Sequence, residues 1–235
     1  MATVADPSPP LPVAAFVASL GGVVVLPGVS WKRYCQLRDA PGNDAVRMTY
    51  LDWELTLMSP ALRHDVPGEL LTLLVRGVTA GLGLEVMGIR TTTLRRGPIS
   101  GQSGVGKEPD AAFYLGANER RMRNRRELDL AVDPPPDLAI EVDHTQDSMS
   151  AMAVYAQLGV PEVWRYMEGH RRLTFHVLAG GTYRQVERSV ALPRLTPTLV
   201  LAALDHRVKN DLGQNEWFEW LKGWARALPE PPPAA

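Results

Sequence analysis

The succession of hydrophobic periods between Asp65 and Met167 constrains this chain more than any other feature of its sequence. Leu70, Leu71, Leu74 and Val78 recur at helical spacing, so a helix is expected to start at Asp65 or Pro67 and to stop at the glycines at 81 and 83. Three strand-like runs follow, at 84–90 with an extension through 91–96, at 110–115, and at 137–143 behind three prolines. Residues 148–158 then have the pattern of a helix closed by Gly159, and 162–167 that of a strand entered from Pro161. The order is α, β, β, β, α, β, which places the chain in the α/β class.

Flanking segments enlarge this core. Ser30 is a candidate N-cap for a short helix through Leu37, ended by the turn at 41–43. Residues 46–51 and 54–58 suit a hairpin, although the connecting pair Asp52 and Trp53 is not a favoured primed-turn sequence. A second hairpin is expected from 172–178 and 182–188 around Gly180 and Gly181, and an amphipathic helix over 215–227 closes the chain. With 235 residues and 45% apolar content, one sizeable core is expected. The division expected is a flexible lead over 1–24, a single domain over 25–205, a helix packing on it within 206–228, and a disordered tail over 229–235.

Cys35 is the sole cysteine, which excludes an internal disulfide and cysteine zinc sites and suits a reducing, cytoplasmic compartment. The apolar run at 13–26 follows Asp6 without any Lys or Arg and is broken by Gly21 and Gly22, so neither a signal peptide nor a membrane span is expected. A formal net charge of -1 places any nucleic-acid contact on local basic clusters.

Asp110 opens one strand run and Glu141 interrupts the apolar run DLAIEVD. A carboxylate among apolar neighbours is costly without a partner, and a cation would offset that cost. Two acids on adjacent strands suit Mg²⁺, which takes a few carboxylate oxygens plus water, polarises a phosphoryl oxygen and lowers the pKa of an attacking water. The residues alone leave the bland reading open, in which Glu141 is a buried ion pair or lies on a solvated face and Asp110 is an ordinary turn acid.

The segments EPDAAFYL from Glu108, DPPPDLAIEVDHTQDS from Asp133 and YAQLGVPEVWRY from Tyr155 carry a resemblance. GVSW at Gly28, LMSP at Leu57 with His64 after it, and TTLRR at Thr92 add to it. Over roughly residues 25–205, with its motifs in order, the chain resembles a restriction-endonuclease family, formerly a domain of unknown function, within the PD-(D/E)XK nuclease superfamily. The resemblance implies a restriction-endonuclease-like αβββαβ core with a mixed central sheet, here with extra β-hairpins and a C-terminal helix. It also implies Mg²⁺-dependent DNA cleavage, with Mn²⁺ as a substitute, and makes Asp110 and Glu141 the motif acids that hold the metal.

The sequence departs from the superfamily at the third catalytic position. There a lysine two residues after the glutamate, or moved to the following helix, orients water and stabilises negative charge. Here those positions hold Asp143 and Ala151, and no lysine occurs between Lys107 and Lys209. Asp143 is a candidate third ligand or base. Lys107 or Arg165 could arrive only by tertiary folding, with no spacing to argue for either. Glu69 and His64 are weaker candidates, as acid and phosphate contact on or before the first helix, and His144 follows Asp143; a solvated or loop role is the alternative for each. Tyr155 and Trp164 are expected to be core. Arg95 and Arg96, together with Arg121, Arg123 and Arg125 beside Arg120 and Arg126, could bind phosphate through their planar forks, or could pair with Glu119 and Glu127 in a solvated loop. Two functions follow: a DNA endonuclease, which would also suit a homodimer, and a catalytically silent nuclease fold that binds DNA or a protein partner.

Overall fold

The computed structural model describes residues 13, 17, 22–44, 46–58, 62–90, 92–99, 103–143 and 149–231, without the side chains of 62–65 and 149–150. Most of the expected lead over 1–24, most of the expected tail, and His144 lie outside those residues.

Local signals build the N-terminal half. Ser30 caps α1 (Trp31–Arg38) by accepting from the Arg33 amide at 3.2 Å. β2 (Arg47–Leu51) and β3 (Glu54–Met58) form the expected hairpin. Its turn residues Asp52 and Trp53 take φ of 46° and 67°, the positive values a two-residue turn needs, so strand pairing overrides their poor turn propensity. β1 (Val23–Pro27) pairs with β3, turning part of the apolar run at 13–26 into an edge strand. β5 (Leu94–Arg96) and β6 (Val105–Lys107) complete a five-stranded sheet A of order β1-β3-β2-β6-β5.

The expected run at 84–90 with its extension through 91–96 is therefore corrected, because its two parts pair in different sheets. Its first part, β4 (Val86–Gly88), joins the other sheet, and its last part is β5. The Ile89 amide still bonds to Ala112, but Thr92 turns back onto the Ile89 carbonyl, and the chain leaves one sheet for the other.

Sheet B contains β7 (Ala111–Leu115), β8 (Leu138–Asp143), β9 (Glu162–Met167), β10 (Arg172–Ala179) and β11 (Thr182–Val186), in the order β11-β10-β9-β8-β7-β4. β8 and β9 are parallel and the other pairs antiparallel, so the sheet is mixed, as expected. α2 (Leu62–Leu82), β4, β7, β8, α4 (Met149–Leu158) and β9 reproduce the αβββαβ order; the short α3 (Gly116–Met122) follows β7. α5 (Pro197–Lys209) and α6 (Gln214–Ala227) close the described chain.

α2 departs from expectation at both ends. It begins at Leu62 with Pro67 inside, where the bond lost is to a first-turn carbonyl. It also runs through Gly81 and ends at Gly83, whose φ is 67°. Gly81 serves packing, not termination: a Cβ there would lie 2.5 Å from the Lys222 carbonyl oxygen, and one at Gly77 would lie 2.7 Å from Leu221. α2 and α6 thus meet backbone to backbone along this stripe. Gly81→Val is expected to destabilise by about 1–3 kcal/mol through overpacking, seen as a lower urea midpoint at unchanged slope.

One core lies between sheet B and helices α2, α5 and α6, with Trp164 stacked on Phe175 at 4.3 Å inside it. A second joins the opposite face of sheet B to α4 and to Leu94 and Val105 of sheet A. A third lies under α1 on the far face of sheet A. Sheet A is therefore held against the face of sheet B that carries Ala112, Ala139 and Val163.

Candidate active site

Register fixes where the two motif acids stand. Ala111 pairs with Ile140 across β7 and β8, so one further step sets Asp110 opposite Glu141. Directly opposed residues project to the same side, and alternation puts Glu141 and Asp143 on the side of Ala139, facing α4 and sheet A. Asp110 is fixed further by the Val142 amide, which donates to its Oδ2 at 2.7 Å. Gly68 of α2 lies against it, since a Cβ there would come within 3.7 Å of the Asp110 Cβ.

Each acid meets a basic side chain. Arg47 of β2 donates to Asp110 Oδ1. The Lys107 ammonium, at the end of β6, lies 3.1 Å from Glu141 Oε2. Arg165 of β9, adjacent to Glu141 in the parallel register, holds Asp143 through Nε and Nη2 at 3.1 and 2.9 Å. The Tyr155 hydroxyl donates to Glu141 Oε1 from α4. Tyr155 is thus core, as its spacing suggests, and also a polar partner of the site.

Two of these cations come from sheet A, and local packing explains their reach. Gly106 precedes Lys107 and lies directly under Tyr34 of α1, where a Cβ would sit 2.2 Å from the hydroxyl. Lys107 pairs with Thr49 across the strands, so it shares with Arg47 and Thr49 the sheet face turned toward sheet B. Glu108, the next residue, is taken out of the site by Arg38 at 2.8 Å and by the Thr93 hydroxyl at 2.9 Å.

Burial pushes the Glu141 carboxyl up to about 7; Lys107 opposes the rise, Asp110 adds to it, and the Tyr155 hydrogen bond opposes it. A carboxylate in this condition gains from any added cation. Asp110 and Glu141 therefore form a donor pair of the kind Mg²⁺ uses when it keeps most of its water. Among the described residues no group of three His, Cys, Asp or Glu side chains is placed to hold a metal. Asp143 shares the face but is engaged by Arg165.

The weaker candidates fall elsewhere. Glu69 is partly exposed and accepts from Arg90 at 2.6 Å. His64 lies in α2 with its side chain outside the described residues. Arg95 pairs with Asp39, and Arg96 donates to the Gln157 and Leu158 carbonyls at the end of α4. Arg121 donates to the Val132 carbonyl, Arg123 clasps Glu119, and Arg125 holds Asp133 at 2.8 Å. Sequence reasoning did not assign Arg47 at all, because no local pattern relates β2 to Asp110.

A family model described as "Uma2: Putative restriction endonuclease" matches residues 31–209. The chain belongs to the Uma2 family. No curated protein matched the chain. The match covers the motif strands, α4 and both sheet-A cations, and ends at Lys209 before α6 begins. The two-sheet α/β architecture, with its mixed sheet and C-terminal helix, agrees with a restriction-endonuclease-like fold, and family membership points to a nuclease-like function acting on nucleic acid. Among the described residues no helix is long and apolar enough to cross a membrane.

Proposed function

We propose that this Uma2 protein is a Mg²⁺-dependent endonuclease that hydrolyses DNA phosphodiester bonds, with Mn²⁺ as an alternative ion. The observation that carries the reading is the placement of Asp110 and Glu141 opposite one another on one face of sheet B, with Glu141 buried. Those two carboxylates would hold the ion, which when bound supplies Lewis-acid polarisation of the phosphate and makes water a stronger nucleophile.

The chain's own residues orient the rest. The Val142 amide and Arg47 fix the Asp110 carboxylate, and Tyr155 fixes that of Glu141. Asp143, held by Arg165, lies one alternation further along β8 and is the candidate base. The face of sheet A that carries Arg47 and Lys107 continues through Thr49 into a depression lined also by Leu51, Asp52, Glu54 and Thr56.

A second reading rests on the ion pairs. Since each carboxylate already meets a cation of the same chain, the protein could bind nucleic acid without cutting it. Supercoiled plasmid incubated with purified protein and Mg²⁺ or Mn²⁺ separates the two. Nicking that chelator stops, and that Asp110→Ala reduces to the blank, is the expected result. Equal nicking by wild type and variant would assign the activity to a contaminant, and tight, salt-sensitive binding without nicking would establish the silent reading.

A further inference from the structure

Lys107 differs from the other charged residues of the site in where it comes from and what it touches. It belongs to sheet A, yet its ammonium is 3.1 Å from the Glu141 carboxylate of sheet B and 5.6 Å from the centre of the Tyr155 ring. Its side chain is 11% exposed, so a long, strongly hydrated cation has been brought almost wholly out of water. Stability does not account for this placement, because buried ion pairs are often no more stabilising than apolar residues of the same size. Arg47 and Arg165 are committed differently, the first to Asp110 and the second by two nitrogens to Asp143. Lys107 carries a compact charge with three donors, and Glu141 accepts one of them.

We propose that Lys107 is a catalytic residue of this site, its ammonium bonding a non-bridging oxygen of the phosphate as negative charge builds there. The proposal rests on the hydrolytic reading above. In the step it serves, the oxygen of a water molecule forms a new bond to phosphorus and the bond from phosphorus to the leaving ester oxygen breaks. The water proton passes to a carboxylate or to solvent, and the leaving oxygen takes a proton from solvent. Lys107 keeps its own proton throughout and acts by charge and hydrogen bonding. The charge therefore comes from the sheet facing the motif strands, because β8 and α4 offer Asp143 and Ala151 where a cation would be nearest in sequence.

The test uses the full chain and two variants. Lys107→Gln keeps a donor toward Glu141 but removes the charge. It is expected to lower plasmid cleavage about 100-fold or more, the loss seen when one charge-stabilising donor is removed. Mn²⁺ affinity, measured by calorimetry without DNA, is expected to stay level or tighten, because a positive neighbour of the carboxylates has gone. A residue that merely props up Glu141 would lose affinity and cleavage together, and that result overturns the proposal. The second variant, Lys107→Ala with Ala151→Lys, returns the charge from α4, one helical turn before Tyr155. It is expected to recover at least tenfold over Lys107→Ala alone, and failure to recover in a folded protein counts against a charge role. If wild type cleaves, Asp110→Ala does not, and Lys107→Gln cleaves within threefold of wild type, Lys107 is excluded while the hydrolytic reading stands. An inert wild type that also fails to bind Mn²⁺ overturns both.

Discussion

Glu141→Gln is expected to abolish plasmid cleavage and, with chelator present, to remove a loss of stability that wild type suffers as pH rises from about 4.5 to above 7. The carboxyl is raised to about 7 in the folded protein, chiefly by burial, against an ordinary value of 4.5. Between those two values the folded state holds a proton that the unfolded state has released. Stability from this group is therefore fully present below about 4.5 and is lost as pH rises through about 7. The loss is on the order of 3 kcal/mol. Glutamine cannot titrate, so the difference in unfolding free energy between wild type and variant should change by this amount between pH 4.5 and pH 8. Urea titrations at four or five pH values measure it, and parallel curves would show that Glu141 does not carry the perturbation. Mn²⁺ added at pH 8 should restore stability to wild type and little to the variant, since an ion that binds only the folded state stabilises it by mass action. The same carboxylate that makes the apo fold less stable at neutral pH is the one that the proposed hydrolytic reading assigns to the metal.

The acids were legible in the sequence because their positions depend on local order. An acid inside DLAIEVD and an acid opening the preceding strand run need only adjacent strands in register to meet, and β7 and β8 supply that register. The cations were not legible in the same way. Lys107 and Arg47 reach Glu141 and Asp110 only because sheet A is laid against sheet B through Leu94, Val105 and α4, and the separation of these residues along the chain carries no trace of that contact. Tyr155 shows the limit of periodicity: helical spacing marks its ring as core but says nothing of where the hydroxyl ends.

Fold elements divide along the same line. The hairpins and β9 follow from alternation and turn residues, whereas the break between β4 and β5 comes from strands pairing in different sheets, which a continuous run conceals. α5 left a usable signal in Thr196 followed by Pro197, an N-cap before a first-turn proline, and Thr196 does accept from the Leu199 amide. Glycines misled in one place. Gly81 looks like a helix stop because its companion at 83 is one, and the reason for Gly81 lies on another helix altogether.

That helix, α6, lies beyond the segment matched by the family model, yet it fills the main core, and removing it is expected to unfold the protein. Trp217 is fully buried among α2, α5 and sheet B, and its indole N–H donates to the Ala203 carbonyl at 3.1 Å. Leu221 and Ala225 continue the same stripe against Gly77 and Gly81. The Leu228 carbonyl then accepts from Arg194 at 3.0 Å, which ties the end of the helix to the loop before α5. Trp217→Ala removes a large, fully buried apolar side chain together with its indole hydrogen bond, so it should cost about 3–5 kcal/mol. At roughly 2–4 °C per kcal/mol for a domain of this size, Tm should fall by about 10 °C. A chain ending at Leu212 would uncover the stripe of α2 that carries Gly77 and Gly81 and open the main core beside it, and it is expected to lack a cooperative transition and to associate. Circular dichroism melts and size-exclusion chromatography of the two variants distinguish the outcomes. A truncated chain that melts at the wild-type temperature as a monomer would show that the nuclease fold is complete at residue 212. In that case α6 would be a surface addition and not part of the structure that holds α2 against β7 and β8.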